Sequence, residues 1–392
     1  MTKKMRELFL LKKDMVFLNH GSFGACPKPV FEAYQAWQLK LEQQPVEFLD
    51  QSRDIINNFK TVRMALAKEL GASSEDLVGV INATEGLNIV AHSLKLQPGD
   101  EILTINHEYA ALENTWELVA KRSGAKIVEV EISLPFVNKE QFVDTLINAM
   151  TEKTKILFLS HISSPTALLF PIKDVVAEAR SRGIISIIDG AHAPSLIDLD
   201  LDALGADFYC GNCHKWMMAP KGSAFLWARK KVQPLLEPIV VSHGWKTQLG
   251  GPEQQGGFGN SRFIDCFEIR GTRDPAAWLA TPDAIKFMKR HNWSERVKQA
   301  DALAKETAQI ISNLTKIPLL STPEFCAPQM IALQLPECDV DDLKRTLYED
   351  FNIEIPVYRW RGRCMIRISI QVYNTVEEAR LLIVALTKCL NL

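Results

Sequence analysis

The chain has 392 residues, 47% of them apolar and 23% charged, with a formal net charge of −2. That length accommodates two or three domains, and a near-neutral charge without a basic block gives no support for nucleic-acid binding. No apolar run approaches the roughly 18 residues of a membrane helix. The opening MTKKMRELFLLKKDM turns charged again after a very short apolar stretch, as in a surface helix and unlike a signal peptide.

In chain order, residues 1–75 read as largely helical. DLVGVINA (76–83) is a short apolar strand and EGLNIVAHSL (85–94) has helical spacing. EILTIN (101–106), KIVEVEI (126–132), KILFLSHI (155–162), IISIID (184–189), DFYCGN (207–212) and GSAFLWARK (222–230) read as strands. Helices fall between them at ALENTWELVAKRSG (111–124), which stops at Gly, and PIKDVVAEARSRG (171–183), which opens with Pro and ends in Gly. Apolar strands alternating with helices predict an α/β fold with a mostly parallel, buried sheet sandwiched by helices. GWKTQLGGPEQQGGFGN (244–260) reads as a flexible loop; a nucleotide loop would need a strand and a helix around it. Beyond residue 280 a long helix (293–315), strands at QMIALQL and CMIRISI, and helices at DVDDLKRTLYED and TVEEARLLIVALTKCL suggest a smaller α+β domain.

Eight scattered cysteines suggest reduced thiols in a cytoplasmic protein. Cys210 and Cys213 have CxxC spacing, but a zinc site would need a second pair or suitably spaced histidines. They read as two small packed residues, with a redox pair as the alternative.

Five features carry candidate chemistry. Lys215 lies in GNCHKWMMAPKG, next to Trp216, Met217 and Met218. An amine attacks a carbonyl only when deprotonated, and an apolar setting favours that form; alternatively its stem lies over apolar neighbours with the head in water. Asp189 ends a strand, where open α/β sheets bind ligands; it could equally be a turn or capping aspartate. NATEG (82–86) sits between strand and helix, where Ala83, Thr84 and the Glu85 amide could cradle a phosphate, or simply cap the helix. The charge of Glu85 would then have to point away. In NHEYAA (106–111), His107 or Tyr109 could stack on a flat ring or merely pack. Arg367 sits in an apolar strand and needs a carboxylate partner, from a substrate or from the protein.

Together these supply what pyridoxal 5'-phosphate and an amino acid require. The motifs FLNHGSFGACP (17–27), NATEG, NHEYAAL, SHISSPTALLFPI (160–172), IDGAHAPSLIDLDLDALGADFYCGNCHKW (188–216), RGTRD (270–274) and RISIQVYNT (367–375) run through almost the whole chain. In this order they resemble the class V branch of the fold-type I pyridoxal-phosphate enzymes, and within it the isopenicillin N epimerase-like group. The resemblance implies a large cofactor domain (21–280) with a seven-stranded sheet, a small C-terminal domain (281–392) on which early helices pack, and an N-terminal segment (1–20) lining the active site. It implies that Lys215 forms the internal aldimine, Asp189 pairs with the pyridine nitrogen and His192 contacts the ring hydroxyl. Thr84, Glu85, Asn212 and His214 would hold the phosphate, with Gly271 and Thr272 reaching the phosphate of a partner subunit in a homodimer. Tyr109 is favoured over His107 as the stacking residue. Arg367 would bind the substrate carboxylate, Arg359, Arg361 or Arg363 could assist it, and the stretch Asn19 to Gly24, including His20, would line the site. Ser164 falls at a strand end near the ring.

These motifs select the cofactor and not the reaction. Epimerisation of an amino acid leads; a cysteine or cystine C–S lyase or desulfurase, or an aminotransferase of the same class, is the alternative. A desulfurase would need a reactive cysteine on a loop, whereas Cys364 lies only three residues before Arg367, within a strand. A pyridoxal-phosphate-binding protein without catalysis should have lost the lysine, the acid or the arginine, and all three are present.

Overall fold

The computed structural model describes residues 5–248, 258 and 260–392. A two-residue strand, β1 (Val16–Phe17), precedes the central sheet. That sheet comprises β2 (Leu77–Val80), β3 (Glu101–Ile105), β4 (Lys126–Val130), β5 (Thr154–Ser160), β6 (Ile185–Asp189), β7 (Phe208–Asn212) and β8 (Ala224–Ala228). Its order is β2-β8-β7-β6-β5-β3-β4. The neighbours from β4 across to β7 pair parallel, and β8 runs antiparallel to both β7 and β2.

The strands are continuous apolar runs because both faces are covered. Alternate side chains point to opposite faces, so Leu157, Leu159 and Ile188 join one core while Ile156, Phe158 and Ile187 join the other. On the first face lie α1 (Lys28–Gln43) and α2 (Ile55–Leu70); on the second lie α3 (Ala83–Ser93) and α4 (Ala110–Ser123). Helix α5 (Lys139–Ala149), which the sequence pattern did not reveal, and α6 (Lys173–Ser181) complete the first face. Further on, α7 (Arg262–Glu268) packs on β2, and α8 (Ala276–Leu279) and α9 (Thr281–Arg290) pack on α1 and α2. The early helices therefore lean on residues 276–290 and, through α2, on β2. The glycine- and glutamine-rich stretch 244–260 lies mostly outside the described residues.

A separate core forms where α10 (Trp293–Thr315), α11 (Val340–Glu349) and α12 (Val376–Leu390) cover a three-stranded antiparallel sheet. This sheet has the order β11-β12-β9, from β9 (Met330–Gln334), β11 (Val357–Trp360) and β12 (Arg363–Ser369). The N-terminal segment is tied to this part of the chain. β1 pairs parallel with β10 (Ile353–Glu354), and Asn19 bridges to Ser369. That pairing lays residues 20–24 between the two sheets, above the carboxyl ends of β6 and β7.

Candidate active site

A cavity of about 490 Å³ lies at the carboxyl ends of the parallel strands, the position open α/β sheets offer to ligands. Lys215 lines it, on the turn that follows β7. Trp216, Met217 and Met218 behind it are buried, so the exposed part of the lysine faces the cavity. Its Nζ lies 3.0 Å from His192 Nε2. Burial, reinforced by the nearby Arg367 charge and opposed by Asp189, brings its pKa down from 10.5 to about 7. Trp216 donates its indole N–H to His192 Nδ1 at 3.4 Å, and burial holds His192 well below the ordinary histidine pKa. A neutral His192 that accepts at Nδ1 carries its proton on Nε2, and an amine can accept that proton only in its neutral form. The apolar surroundings of the lysine are thus the ones that free its lone pair.

Asp189 ends β6 and is 5% exposed. It accepts the Ala191 amide at 2.8 Å, and burial raises its pKa against the pull of Lys215. Asn212 and Thr84 line the cavity at the start of α3. There the Ala83 amide is donated to Asn212 Oδ1 at 2.8 Å, and the Glu85 amide to Asn82 Oδ1 at 2.8 Å. The expectation that the Glu85 amide faces a phosphate is therefore corrected: Asn82 takes it as the helix cap, and the Thr84 amide and hydroxyl remain. The Glu85 carboxylate turns away from the cavity to the Ile81 amide (2.7 Å) and Arg270 (2.5 Å).

His214 lines the opposite wall, with its pKa lowered to about 4 by burial. Among the described residues its Nδ1 has no partner. Arg367 donates to the Ser164 carbonyl (2.6 Å), the Ser164 hydroxyl (3.2 Å) and the Ser22 hydroxyl (3.0 Å). Its Nε is buried without a partner among the described residues.

The remaining expected positions divide between those that line the cavity and those that do not. Tyr109 is exposed and lines the cavity. His107 does not: it is fully buried, bonded through Nδ1 to the Thr166 hydroxyl (2.8 Å) and through Nε2 to the Ile132 carbonyl (2.9 Å). With both nitrogens engaged it supports the wall instead of stacking on a ligand. His20 is also buried, between the Tyr373 hydroxyl (3.0 Å) and the Lys215 carbonyl (3.1 Å), so it props the lysine turn and does not meet a substrate. Asn19 is turned to Glu354 (2.8 Å), and Ser22 and Phe23 of the same motif face the cavity instead. Arg359 is exposed, pairs with Glu337 and borders a neighbouring cavity. Gly271 and Thr272 are exposed and do not line the cavity within this chain.

The contact between the N-terminal motif and the lysine turn is tight. Gly24 has φ +70°, and a Cβ there would fall 1.9 Å from the His214 carbonyl oxygen, so only glycine fits. Lys221 Nζ donates to the Gly24 carbonyl at 2.9 Å and also lines the cavity; the sequence reading missed it, although PKG follows the lysine turn directly. Cys210 and Cys213 are buried with their thiols pushed up, Cys213 to about 12, which leaves them unreactive. Among the described residues no cluster could hold a metal ion. No described helix is long and apolar enough to cross a membrane.

The residues present fit pyridoxal phosphate. They offer an amine brought to about 7, a buried acid, Thr84 at the first turn of α3 and, among the described residues, an unpartnered buried His214 nitrogen. Such a cavity on such a sheet defines a fold-type I pyridoxal-phosphate enzyme. Residues 16–382 match the sequence model described as Aminotransferase class-V, and the chain belongs to that family, whose cofactor is pyridoxal 5'-phosphate. It is 33% identical over 381 residues to an isopenicillin N epimerase of Streptomyces clavuligerus, covering 96% of this chain and 95% of that one. It is 29% identical over 398 residues to a probable chloroplastic L-cysteine desulfhydrase of Arabidopsis thaliana, covering 93% and 81%. Among solved structures, the apo cysteine desulfurase of Thermococcus onnurineus NA1 shares the fold, with a TM-score of 0.81 at 21% identity over 99% of this chain and 98% of that one.

Proposed function

We propose that this class V enzyme is an amino-acid epimerase working at the α-carbon, with Lys215 as both anchor and proton carrier. The observation that carries the reading is the Lys215 amine, brought to about 7 and held 3.0 Å from His192 at the cavity wall. Bound pyridoxal phosphate supplies an electron sink that acidifies the α-proton of an attached amino acid. Lys215 would hold the cofactor, and its Nζ would take the proton from one face of the substrate α-carbon; inversion then requires a second group to return a proton to the opposite face. Asp189 would hold a proton on the ring nitrogen, and His192 would orient the ring and the lysine. Thr84, Asn212 and His214 would hold the phosphate. Tyr109 would cover the ring, and Arg367 would take the substrate carboxylate, with Ser22 and Ser164 aiming its guanidinium. We read the active form as a homodimer, with Gly271 and Thr272 facing the partner's site; a fully active monomer at assay concentration would refute this.

The 33% identity to an isopenicillin N epimerase supports epimerisation. The second reading, a C–S lyase, is supported by the desulfhydrase relative. A persulfide-forming desulfurase is disfavoured, because no cysteine lines the cofactor cavity among the described residues. Cys364 lies buried in β12, with its thiol against the Cys338 carbonyl at 3.4 Å. Proton NMR of the cofactor-loaded enzyme in heavy water, with isopenicillin N and a panel of L-amino acids including cystine, separates the readings. Exchange of the α-proton with a growing opposite diastereomer is expected. Pyruvate with a sulfur product would make the enzyme a lyase.

A further inference from the structure

Inverting an α-carbon takes two proton carriers, one on each face, and Lys215 accounts for one of them. Strand order decides what stands on the other side. Along β7-β6-β5-β3, Lys215 follows β7, Asp189 ends β6, and Tyr109 stands where β3 gives way to α4. Tyr109 and Lys215 therefore approach a ring anchored at Asp189 from opposite sides. Three strand spacings, roughly 14 Å, separate the strands that carry them, enough to hold a flat ring and an amino acid between the two side chains.

Charge locates the α-carbon between them. A second cavity, of about 450 Å³, adjoins the first, and Tyr109, Ser164 and Arg367 line both. The arginines of its far wall are already paired. Arg359 meets Glu337, and Arg361 meets Glu129 (2.6 Å) and Glu113 (3.9 Å), which pins the β11–β12 hairpin to the edge strand β4. Arg367 has no carboxylate partner among the described residues, only the oxygens of Ser164 and Ser22. A substrate carboxylate held there leaves the α-carbon one bond away, at the lip that Arg367 shares with Tyr109.

Two tyrosines lie near Arg367: burial lowers the arginine's pKa, and the phenols of Tyr358 and Tyr109 oppose that shift. Tyr358 gives its proton to the Pro165 carbonyl, and burial pushes it up to about 12; it does not line the cofactor cavity. Tyr109 does line that cavity, is 43% exposed, and its hydroxyl makes no hydrogen bond among the described residues. Its proton is uncommitted. The other candidates on the wall are engaged or stand on the wrong side. Ser22 accepts from Arg367 and gives its own proton to Asn19 (2.5 Å). Lys221 and His214 belong to the lysine turn itself, where Lys221 donates to the Gly24 carbonyl (2.9 Å).

We propose that Tyr109 is the second proton carrier, giving its phenolic proton to the face of the α-carbon turned away from Lys215. The proposal rests on the epimerase reading above. In one direction a C–H bond breaks as Lys215 Nζ takes the α-proton. The electron pair left behind then takes up the Tyr109 proton, so the phenol O–H bond breaks as a C–H bond forms on the other face. One proton leaves the carbon and one arrives, with no net change in oxidation. The ammonium and the phenolate return to their starting forms by proton exchange with water, and the reverse direction swaps the two roles.

The test follows each epimer of isopenicillin N in heavy water by proton NMR, with the cofactor-loaded native enzyme and with Tyr109→Phe, which keeps the ring and loses the proton. Inversion in both directions should fall about 100-fold or more in the variant. The epimer whose α-proton faces Lys215 should still exchange it for deuterium with its configuration retained, while exchange from the other epimer falls with inversion. Capture of pyridoxal phosphate by the variant apoenzyme, followed by absorbance, should match the native protein. Independently of turnover, N-acetylimidazole should acetylate Tyr109 in the native apoenzyme, read by peptide mass spectrometry, and bound cofactor with substrate should block it. Inversion at the native rate, exchange lost equally from both epimers, or acetylation that loading does not block would overturn the role of Tyr109 and leave the epimerase reading in place. Loss of cofactor capture in step with inversion would likewise reduce Tyr109 to a stacking residue. A native enzyme that never inverts isopenicillin N would instead remove the epimerase reading, and this role with it.

Discussion

Lys215 and Glu268 both hold an ionisable group out of water, and burial moves both to about 7, the lysine down from 10.5 and the glutamate up from 4.5. Their surroundings differ. Glu268 meets Arg63, which is fully buried, and neither residue lines the cofactor cavity or the one beside it. Lys215 meets His192 beside a cavity into which Asp189, His214 and Arg367 also open. A displaced pKa locates a charge taken out of water, and structural ion pairs produce it as readily as active sites do. Convergence of such groups on a space able to hold a ligand is what separates the two regions.

The sharpest way to break this contrast is to exchange the two kinds of loss. Lys215→Ala should cost about 10³-fold or more in turnover and abolish the borohydride-reducible adduct, with little change in the unfolding midpoint. Retention of the adduct would place the attachment elsewhere. Arg63→Met should do the opposite. It leaves a buried carboxyl without its charged partner, at about 3–5 kcal/mol of stability, while turnover per folded molecule stays within about twofold; urea unfolding beside active-site titration reads both. Asp189→Asn removes one charge-assisted contact, worth about 1.5–3 kcal/mol. It should therefore slow α-proton exchange about 10- to 100-fold at nearly unchanged stability, and a native rate would show that the ring nitrogen has another partner.

The smallest effect is a pH dependence. Lys215 is a cation below about 7 and a free amine above it. Capture of pyridoxal phosphate by the apoenzyme should fall about tenfold per pH unit below that point and level off above it, followed by absorbance of the bound cofactor. The linked stability has a definite sign. Between about 7 and the unfolded value of 10.5 the unfolded chain holds the extra proton, so this group makes the apoprotein more stable as pH rises. A capture rate still rising as it would for an amine titrating near 10.5 would show that the cavity does not desolvate the lysine.

The parts of the site that could be read in advance are those written locally. Asp189 and His192 share one strand end, and Asn212, His214 and Lys215 share the next; adjacency in sequence keeps such residues together once the strands are recognised from their apolar runs. His107 and Tyr109 are two residues apart where β3 gives way to α4. Composition there does not say which one faces the cavity, because the chain leaves strand geometry at that point. His20 belonged to a legible motif, but its burial beneath the lysine turn depends on Tyr373, 353 residues away.

By itself, the sequence determined the alternation of strand and helix, the cofactor and the residues at the strand ends, because periodicity and short motifs act over a few residues. The tertiary structure decided which member of each motif faces the cavity, which amides of α3 stay free, and which buried charges are only structural. It alone formed the second cavity, whose walls come from residues 108–113, 164–165 and 356–367. No local pattern encodes that meeting, since it arises only when the hairpin of the small sheet is pinned to the edge of the large one.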